Sequence, residues 1–501
     1  MPGHAVHQKG HYIDPIDSNG SGHLAPQKNI GLLPVKRKPV EPRNPDGFDG
    51  YPALSNYSKS QKKDEECDLG SSISVARLWN DIMETAKFGQ MADCPEGMYR
   101  IALSKEDQMV RDWFKNEAQS LGCEVRVDQV GNIFAVLPGA CRDIPPIGIG
   151  SHLDTQPAGG RFDGILGVLS GLEILRTIKD SGRQMYADVA VINWTNEEGA
   201  GYQSGCTGSA VWSGHVTKET ALNMLRADRQ GTFGSDLLAI DYQGSVPASH
   251  VHNGLSAHFE LHIEQGKRLE AKRQTVGVVT NIQGIRWYKV DVRGRRAHAG
   301  STPMKDRVDA LVAASEMVCF LNRIAREYDM FATVGVLEVE KASSNIVADN
   351  VRFTVDLRHR SEDLLCRVES ELKARMKELT RTYGPALQFD MHQVWHSPAA
   401  EFDQSIVEIV RRAAITTVGE SQVMPKMISF AGHDSALVHL TGIPTAMIFV
   451  PSHEGVSHAP EEFTEREHCG AGAAALYRAV CLYDDRLRAS SQKHKVEPEA
   501  R

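Results

Sequence analysis

The stretch SHLDTQPAGGRFDGILG, from Ser151 to Gly167, sets His152, Asp154 and Asp163 among glycines directly after an apolar run. Further along, Asn196-Glu197-Glu198-Gly199 follows a second apolar run, and His262 sits in HFELHIEQG. His433 and Asp434 lie in SFAGHDSA, and His458 in EGVSHAP. Imidazole nitrogens and carboxylate oxygens without thiolates suit zinc, manganese, cobalt or nickel. Together these side chains could hold two divalent ions. In two-metal hydrolases the ions lie roughly 3.5–4 Å apart and share a clamp. A bridging carboxylate must be short and rigidly placed, which suits Asp163 in its glycine-flanked turn. Of two adjacent glutamates, one can bind metal while its neighbour stays free to take a proton from water.

Each piece alone has a plainer reading. His152 with Asp154 fits a surface loop, Glu197-Glu198 a solvated helix start, His262 a satisfied core histidine. His298 alone fits a turn, and Arg358 a surface ion pair. What reverses these readings is the set of elements that must carry them. PPIGIGSH and YADVAVINW are short apolar strands that end at the polar motifs, and GILGVLSGLEILRTIKDSG between them is an apolar helix. Strands alternating with helices imply an α/β domain with a largely parallel sheet. In such sheets ligands bind at the carboxyl ends of the strands, so the motifs converge in space.

The middle of the chain has another rhythm. IRWYKVDVRG, FATVGVLEVE, NVRFTVDLRH and ALQFDMHQVW read as strands, with helices over PMKDRVDALVAASEMVCFLNRIAREY and EDLLCRVESELKARMKELTRTYG. The order β-α-β-β-α-β is the ferredoxin-like pattern. The expectation is therefore a catalytic domain over 71–280 and 398–485, interrupted by an α+β domain over 281–397. Residues 1–70 are rich in Pro, Gly, Asn, Ser and charge, and too poor in apolar runs to offset ordering entropy, so they read as disordered. Residues 486–501 read as a disordered tail.

Composition excludes several classes. A net charge of -8 gives no basic footprint for nucleic acid. No run of about 18 apolar residues is present to span a membrane. Nine scattered cysteines, with no CxxC pair, fit a reducing cytoplasmic compartment and argue against thiolate zinc. The first residues lack the apolar core of a secretory signal. No glycine tract has the context of a nucleotide fingerprint. Cys206, in SGCTGS, lies near the site with no base evident beside it and reads as structural.

HLDTQPAGGRFDG, NEEG, HIEQG, RAHAGSTP, DLRH, AGHDS and SH, in this order over about residues 72–485, resemble the dinuclear-metal amidohydrolases of the M20 superfamily. Within it the chain is most similar to the branch of fungal β-alanine synthase (β-ureidopropionase) and N-carbamoyl-L-amino-acid hydrolase. The resemblance implies that His152 and His262 bind one zinc, Glu198 and His458 the other, and Asp163 bridges them. Glu197 would be the general base, and Asp154 would orient His152. His298 would stabilise the developing oxyanion from the partner subunit of a homodimer. Asn345 and Arg358 would hold the substrate carboxylate, with Gln265 and His433 completing the contacts. The inserted domain would serve as lid and dimerisation domain.

The implied reaction is hydrolysis of the ureido group of N-carbamoyl-β-alanine or an N-carbamoyl-L-amino acid to the amino acid, carbon dioxide and ammonia. The first substrate would belong to pyrimidine degradation. Allantoate or ureidoglycolate hydrolysis shares the motifs. An M20 metallopeptidase or aminoacylase is a further alternative, against which the histidine of HIEQG argues. A catalytically dead scaffold would have lost Glu197, Asp163 or a ligand histidine, and none is lost. One departure stands out: Gly201-Tyr202-Gln203 follows NEEGA where many relatives carry Arg-Phe, a change expected to alter the pocket wall.

Overall fold

The computed structural model describes residues 73–202 and 204–496. The head expected to be disordered, residues 1–70, and Gln203 lie outside them. Two sheets dominate the described chain. The larger has nine strands. At its centre the strands Val189–Trp194, Ile147–His152, Ala257–Ile263 and Thr445–Val450 lie side by side, all parallel. Every residue of these four is buried, which accounts for their largely apolar runs, although Ala257–Ile263 also buries His258, Glu260 and His262. Four parallel neighbours put four carboxyl ends on one edge, and His152, Glu197, His262 and the segment leading to His458 emerge there. Antiparallel strands flank this centre, so the sheet is mixed.

The helix Ile165–Ser181 packs against this sheet almost wholly buried, from Ile165 through Ile178. Its N-cap, Gly164, has φ +70°, and a Cβ there would stand 2.2 Å from the His152 ring. Only glycine turns the chain from Asp163 into the helix that close to the imidazole.

The smaller sheet has five strands, all antiparallel, from Gly284–Arg293 to Gln388–Ser397. Taking Phe331–Thr333 and Leu337–Val339 as one broken element, its strands follow the ferredoxin-like order expected for this stretch. FATVGVLEVE, expected as a single strand, is broken into two at Val334-Gly335-Val336. Helices Ala310–Glu327 and Glu362–Tyr383 cover the sheet, and Val290, Phe353, Leu321 and Leu372 meet in a separate apolar cluster. Chain enters this sheet across Gln283, directly after the large-sheet strand Val276–Ile282. It returns to Ala400, which pairs with Ile282. The small sheet thus starts at Gly284 rather than 281, and Val276–Ile282 belongs to the large one. That strand and Val423–Ser429 escape the sequence reading because glycine, proline and lysine dilute their apolar pattern.

The expected tail from residue 486 is corrected. The last helix, Arg466–Val496, continues past it. Leu487 packs on the large core, and Arg488 donates to the Gln184 carbonyl oxygen at 2.8 Å. No helix among the described residues is long and apolar enough to cross a membrane.

Candidate metal centre

The edge formed by the parallel strands gathers four of the predicted side chains around a fifth, the Asp163 carboxylate. Asp163 Oδ1 lies 3.1 Å from His262 Nε2 and 3.7 Å from His152 Nε2. Asp163 Oδ2 lies 3.4 Å from His458 Nε2, which is also 3.4 Å from Glu198 Oε2. The result is two donor triads, His152–Asp163–His262 and Asp163–Glu198–His458, that share Asp163 through different oxygens.

Backbone groups fix the rings. His152 Nδ1 faces the Asp154 carbonyl oxygen at 2.9 Å, and His262 Nδ1 the Ile263 carbonyl oxygen at 2.9 Å. A proton on each Nδ1 leaves Nε2 as the free donor, the usual outer arrangement of a metal-binding histidine. The His152 orientation therefore comes from the Asp154 backbone. The Asp154 carboxylate, expected in that role, stands 3.9 Å away and instead accepts the Glu197 and Glu198 backbone N–H groups at 3.3 Å each. It sets the two glutamates rather than the histidine. Asp163 is anchored by Ser457 Oγ at 2.6 Å and Gln265 Nε2 at 2.6 Å, and its own N–H donates to Glu462 Oε1 at 3.0 Å.

The electrostatics are those of a site short of positive charge. Burial pushes the Glu198 carboxyl up to about 8, aided by the Asp163 charge. Burial, then Asp434 and Glu198, holds Glu197 well above the usual carboxylate range. Burial would lower the His262 and His458 rings, but Asp163 outweighs it and raises each to about 9. His152 falls to about 4 through burial, which Asp163 offsets only in part. Its buried Nε2 has no hydrogen-bond partner. A divalent cation answers each of these demands: it offers the orphaned nitrogen a partner and compensates buried carboxylates. The residues fit divalent metal.

Glu197 stands outside both triads, with Oε2 3.5 Å from His152 Nε2. Its other oxygen accepts the Cys206 thiol at 3.3 Å. A base is thus present beside Cys206, contrary to the sequence reading. Burial, then the Glu197 charge, pushes that thiol well above its ordinary range, so it acts as a donor and not a nucleophile.

The cavity beside the triads, about 110 Å³, is lined by Gln265, His433 and Arg358. Arg358 shares its guanidinium with Asp356 at 2.8 Å, and His433 Nε2 is held by Ser429 Oγ at 2.8 Å. His298 and Asn345 are not brought there. Both are exposed on a two-stranded ribbon, where Ile346 pairs with His298 and Ala299 N–H donates to the Asn345 carbonyl oxygen at 2.9 Å. Asn345 is therefore a neighbour of His298, not of Arg358. Tyr202 does not wall the carboxylate cavity either: its hydroxyl donates to Asp236 at 2.8 Å and its ring packs on Phe233.

Sequence reasoning misses Ser457, Glu462 and the tryptophans Trp287 and Trp395, which line the cavity from the small sheet. Ser457 and Glu462 flank His458 and were findable by proximity; the tryptophans sit in ordinary strand patterns and carry no such signal.

The profile of peptidase family M20/M25/M40 matches residues 148–481. An N-carbamoyl-L-amino-acid amidohydrolase of Rhizobium meliloti is 38% identical over 81% of this chain and 96% of its own length. An allantoate amidohydrolase of Bacillus subtilis is 30% identical over 81% and 97%. The crystal structure of an amidase of the hydantoinase/carbamoylase family from Burkholderia vietnamiensis superposes with a TM-score of 0.74 at 38% identity, covering 82% of this chain and 97% of that one.

Proposed function

The chain belongs to the peptidase M20/M25/M40 family, and from that premise we propose that it hydrolyses the carbamoyl C–N bond of N-carbamoyl-β-alanine or N-carbamoyl-L-amino acids. It is a metal-dependent hydrolase. The observation that carries the reading is the pair of donor triads joined by Asp163, with Glu197 free beside them. His152 and His262 would hold one zinc ion, Glu198 and His458 a second, and Asp163 both. Bound divalent ions would polarise a water and the carbamoyl oxygen.

The remaining work falls to the chain's own side chains. Glu197 takes the water proton and returns it to the leaving nitrogen, a task that suits a carboxyl whose proton affinity is raised. The Cys206 S–H holds one Glu197 oxygen so that the other faces the reacting centre. Arg358 presents a planar fork to a substrate carboxylate, and Asp356 keeps that fork aimed until substrate arrives. Gln265 and His433 flank the substrate. Water addition and C–N cleavage yield the amino acid, carbon dioxide and ammonia.

The segment 284–397 acts as a lid, because Arg358, Trp287 and Trp395 reach the cavity from it. His298 and Asn345 serve the site of a second copy in a homodimer; their joint exposure away from the cavity supports this. The test is ammonia release from N-carbamoyl-β-alanine, an N-carbamoyl-L-amino acid and allantoate after chelation and zinc return. Zinc-dependent release from a carbamoyl amino acid is expected. Release from allantoate alone would move the chain to that branch, and silence on all three contradicts the reading.

A further inference from the structure

His152 and His262 belong to neighbouring strands of the large sheet, so strand pairing helps fix the distance between them. No strand carries Asp163 or His458. Asp163 lies in the turn before the helix Ile165–Ser181, and His458 in the loop between Thr445–Val450 and Arg466–Val496. His458 has φ +58°, a backbone conformation uncommon outside glycine. Such a loop has to be held from outside itself if its imidazole is to meet a carboxylate on a distant turn.

Glu462 makes that connection. It follows His458 in the same loop and is buried. Its Oε1 accepts the backbone N–H groups of Phe162 at 2.9 Å and Asp163 at 3.0 Å. Its Oε2 stands 3.3 Å from Ser457 Oγ, which donates to Asp163 Oδ2 at 2.6 Å. The same Asp163 oxygen faces His458 Nε2 at 3.4 Å. One carboxylate thus holds the Asp163 turn by its backbone and adjoins the hydroxyl that aims its side chain. Gly160 leaves the room for this: a Cβ there would stand 2.3 Å from Glu462 Oε1 and 2.4 Å from its Cδ. Apolar packing joins the two segments separately. The Phe162 and Phe463 rings meet edge to face at 5.7 Å, and both lie against Trp79. That packing does not need Glu462, so the segments can stay docked while the ligands lose register.

We propose that Glu462 is a positioning residue for the second donor triad, Asp163–Glu198–His458, and sets the affinity of the ion held there. The ion held by His152 and His262 is left largely unaffected. The inference rests on the two-ion reading and deepens it. The first triad is shielded because its histidines are fixed by strand pairing and by the Asp154 and Ile263 carbonyl oxygens. Asp163 is also tied to the helix that follows it, since the Ile165 N–H donates to the Asp163 carbonyl oxygen at 2.8 Å.

The experiment is equilibrium dialysis of the full chain against chelator-buffered zinc, with bound zinc read by elemental mass spectrometry. The wild type should take up two ions. Glu462→Ala should weaken one of them about 10- to 100-fold, the usual cost of removing a group that orients metal ligands. The other should bind as before. In a His458→Ala background, which already breaks the second triad, Glu462→Ala should change nothing further. Glu462→Gln keeps an oxygen for both N–H groups and offers an amide N–H to Ser457, so it should bind close to the wild type. Gly160→Ala crowds Glu462 without altering it and should resemble Glu462→Ala. Glu462→Asp, one methylene short of the same contacts, replaces a Glu462→Ala chain that does not fold and must weaken the same ion. A merely structural Glu462 would lower Tm without singling out one ion. Unchanged uptake, or equal weakening of both ions, in the folded variants therefore overturns the proposal. So does a Glu462→Gln variant as weak as Glu462→Ala, which would assign the effect to charge and not to position. A wild type that binds fewer than two ions overturns the two-ion reading itself.

Discussion

The parallel-strand edge and the His298 ribbon both carry polar side chains assigned to catalysis, yet they are built in opposite ways. At the edge four of the five ligands are held by partners: His152 and His262 by carbonyl oxygens, Asp163 by Ser457 and Gln265, Glu198 by Gln156, with His458 half-exposed. On the ribbon, His298 and Asn345 are exposed, and His298 Nδ1 accepts only the backbone N–H groups of Gly300 and Ser301, at 3.0 and 3.2 Å. Metal ligands must be held in place before the ion arrives. A group that meets substrate after assembly or closure must stay free until then. On the proposed reading, one chain builds the metal centre and the exposed ribbon is left for the site of a second copy.

Mixing is the hardest blow that can be aimed at this contrast. Inactive His298→Ala and inactive Glu197→Gln enzymes, mixed through a dissociating step, should regain activity that neither parent has. Only a His298 that serves the partner's site allows this, and continued silence would place His298 in its own chain's site.

The edge itself should show strong proton linkage. With His262 and His458 raised to about 9, both rings are protonated near neutral pH in the metal-free site. Glu198, raised to about 8, is mostly protonated there too. Ligation needs neutral imidazole and ionised carboxylate, so metal binding releases protons and tightens as pH rises towards about 9. Titration calorimetry of zinc at pH 7.5, in buffers of different ionisation enthalpy, should show proton release; none would mean the rings are already neutral.

Arg358→Lys should raise KM about tenfold for carbamoyl amino acids with little change in kcat, because a point charge replaces a fork. An unchanged KM would place the carboxylate anchor elsewhere. Smaller still, Cys206→Ala removes one hydrogen bond to Glu197 and should lower kcat about fivefold, with Cys206→Ser recovering part of it. A loss confined to KM would show that the thiol serves binding rather than the base.

The metal edge was legible in the sequence because strand ends announce themselves. IGIGSH and VAVINW are apolar runs that stop at His152 and Asn196, and parallel neighbours bring such stops together. The ferredoxin-like stretch was legible from its periodicity. What could not be read was which atom does the holding. Asp154 orients His152 through its backbone oxygen, and nothing in a residue type distinguishes that from a carboxylate contact. Trp395 was invisible for a related reason: it reaches Gly205 across 190 positions of chain from an ordinary strand. Asn345 and Arg358 belong to neighbouring motifs in sequence, but the ribbon carries one away from the cavity that the other lines.

The most direct test of the account is the metal content and turnover of Glu197→Gln beside the wild type. Because Glu197 lies outside both triads, the variant should keep the metal content of the wild type by elemental mass spectrometry. It should lose about 10²- to 10⁴-fold in kcat, the usual cost of removing a general base. A variant that sheds metal would make Glu197 a ligand, and one that turns over normally would remove it as the base; either result would contradict the site described.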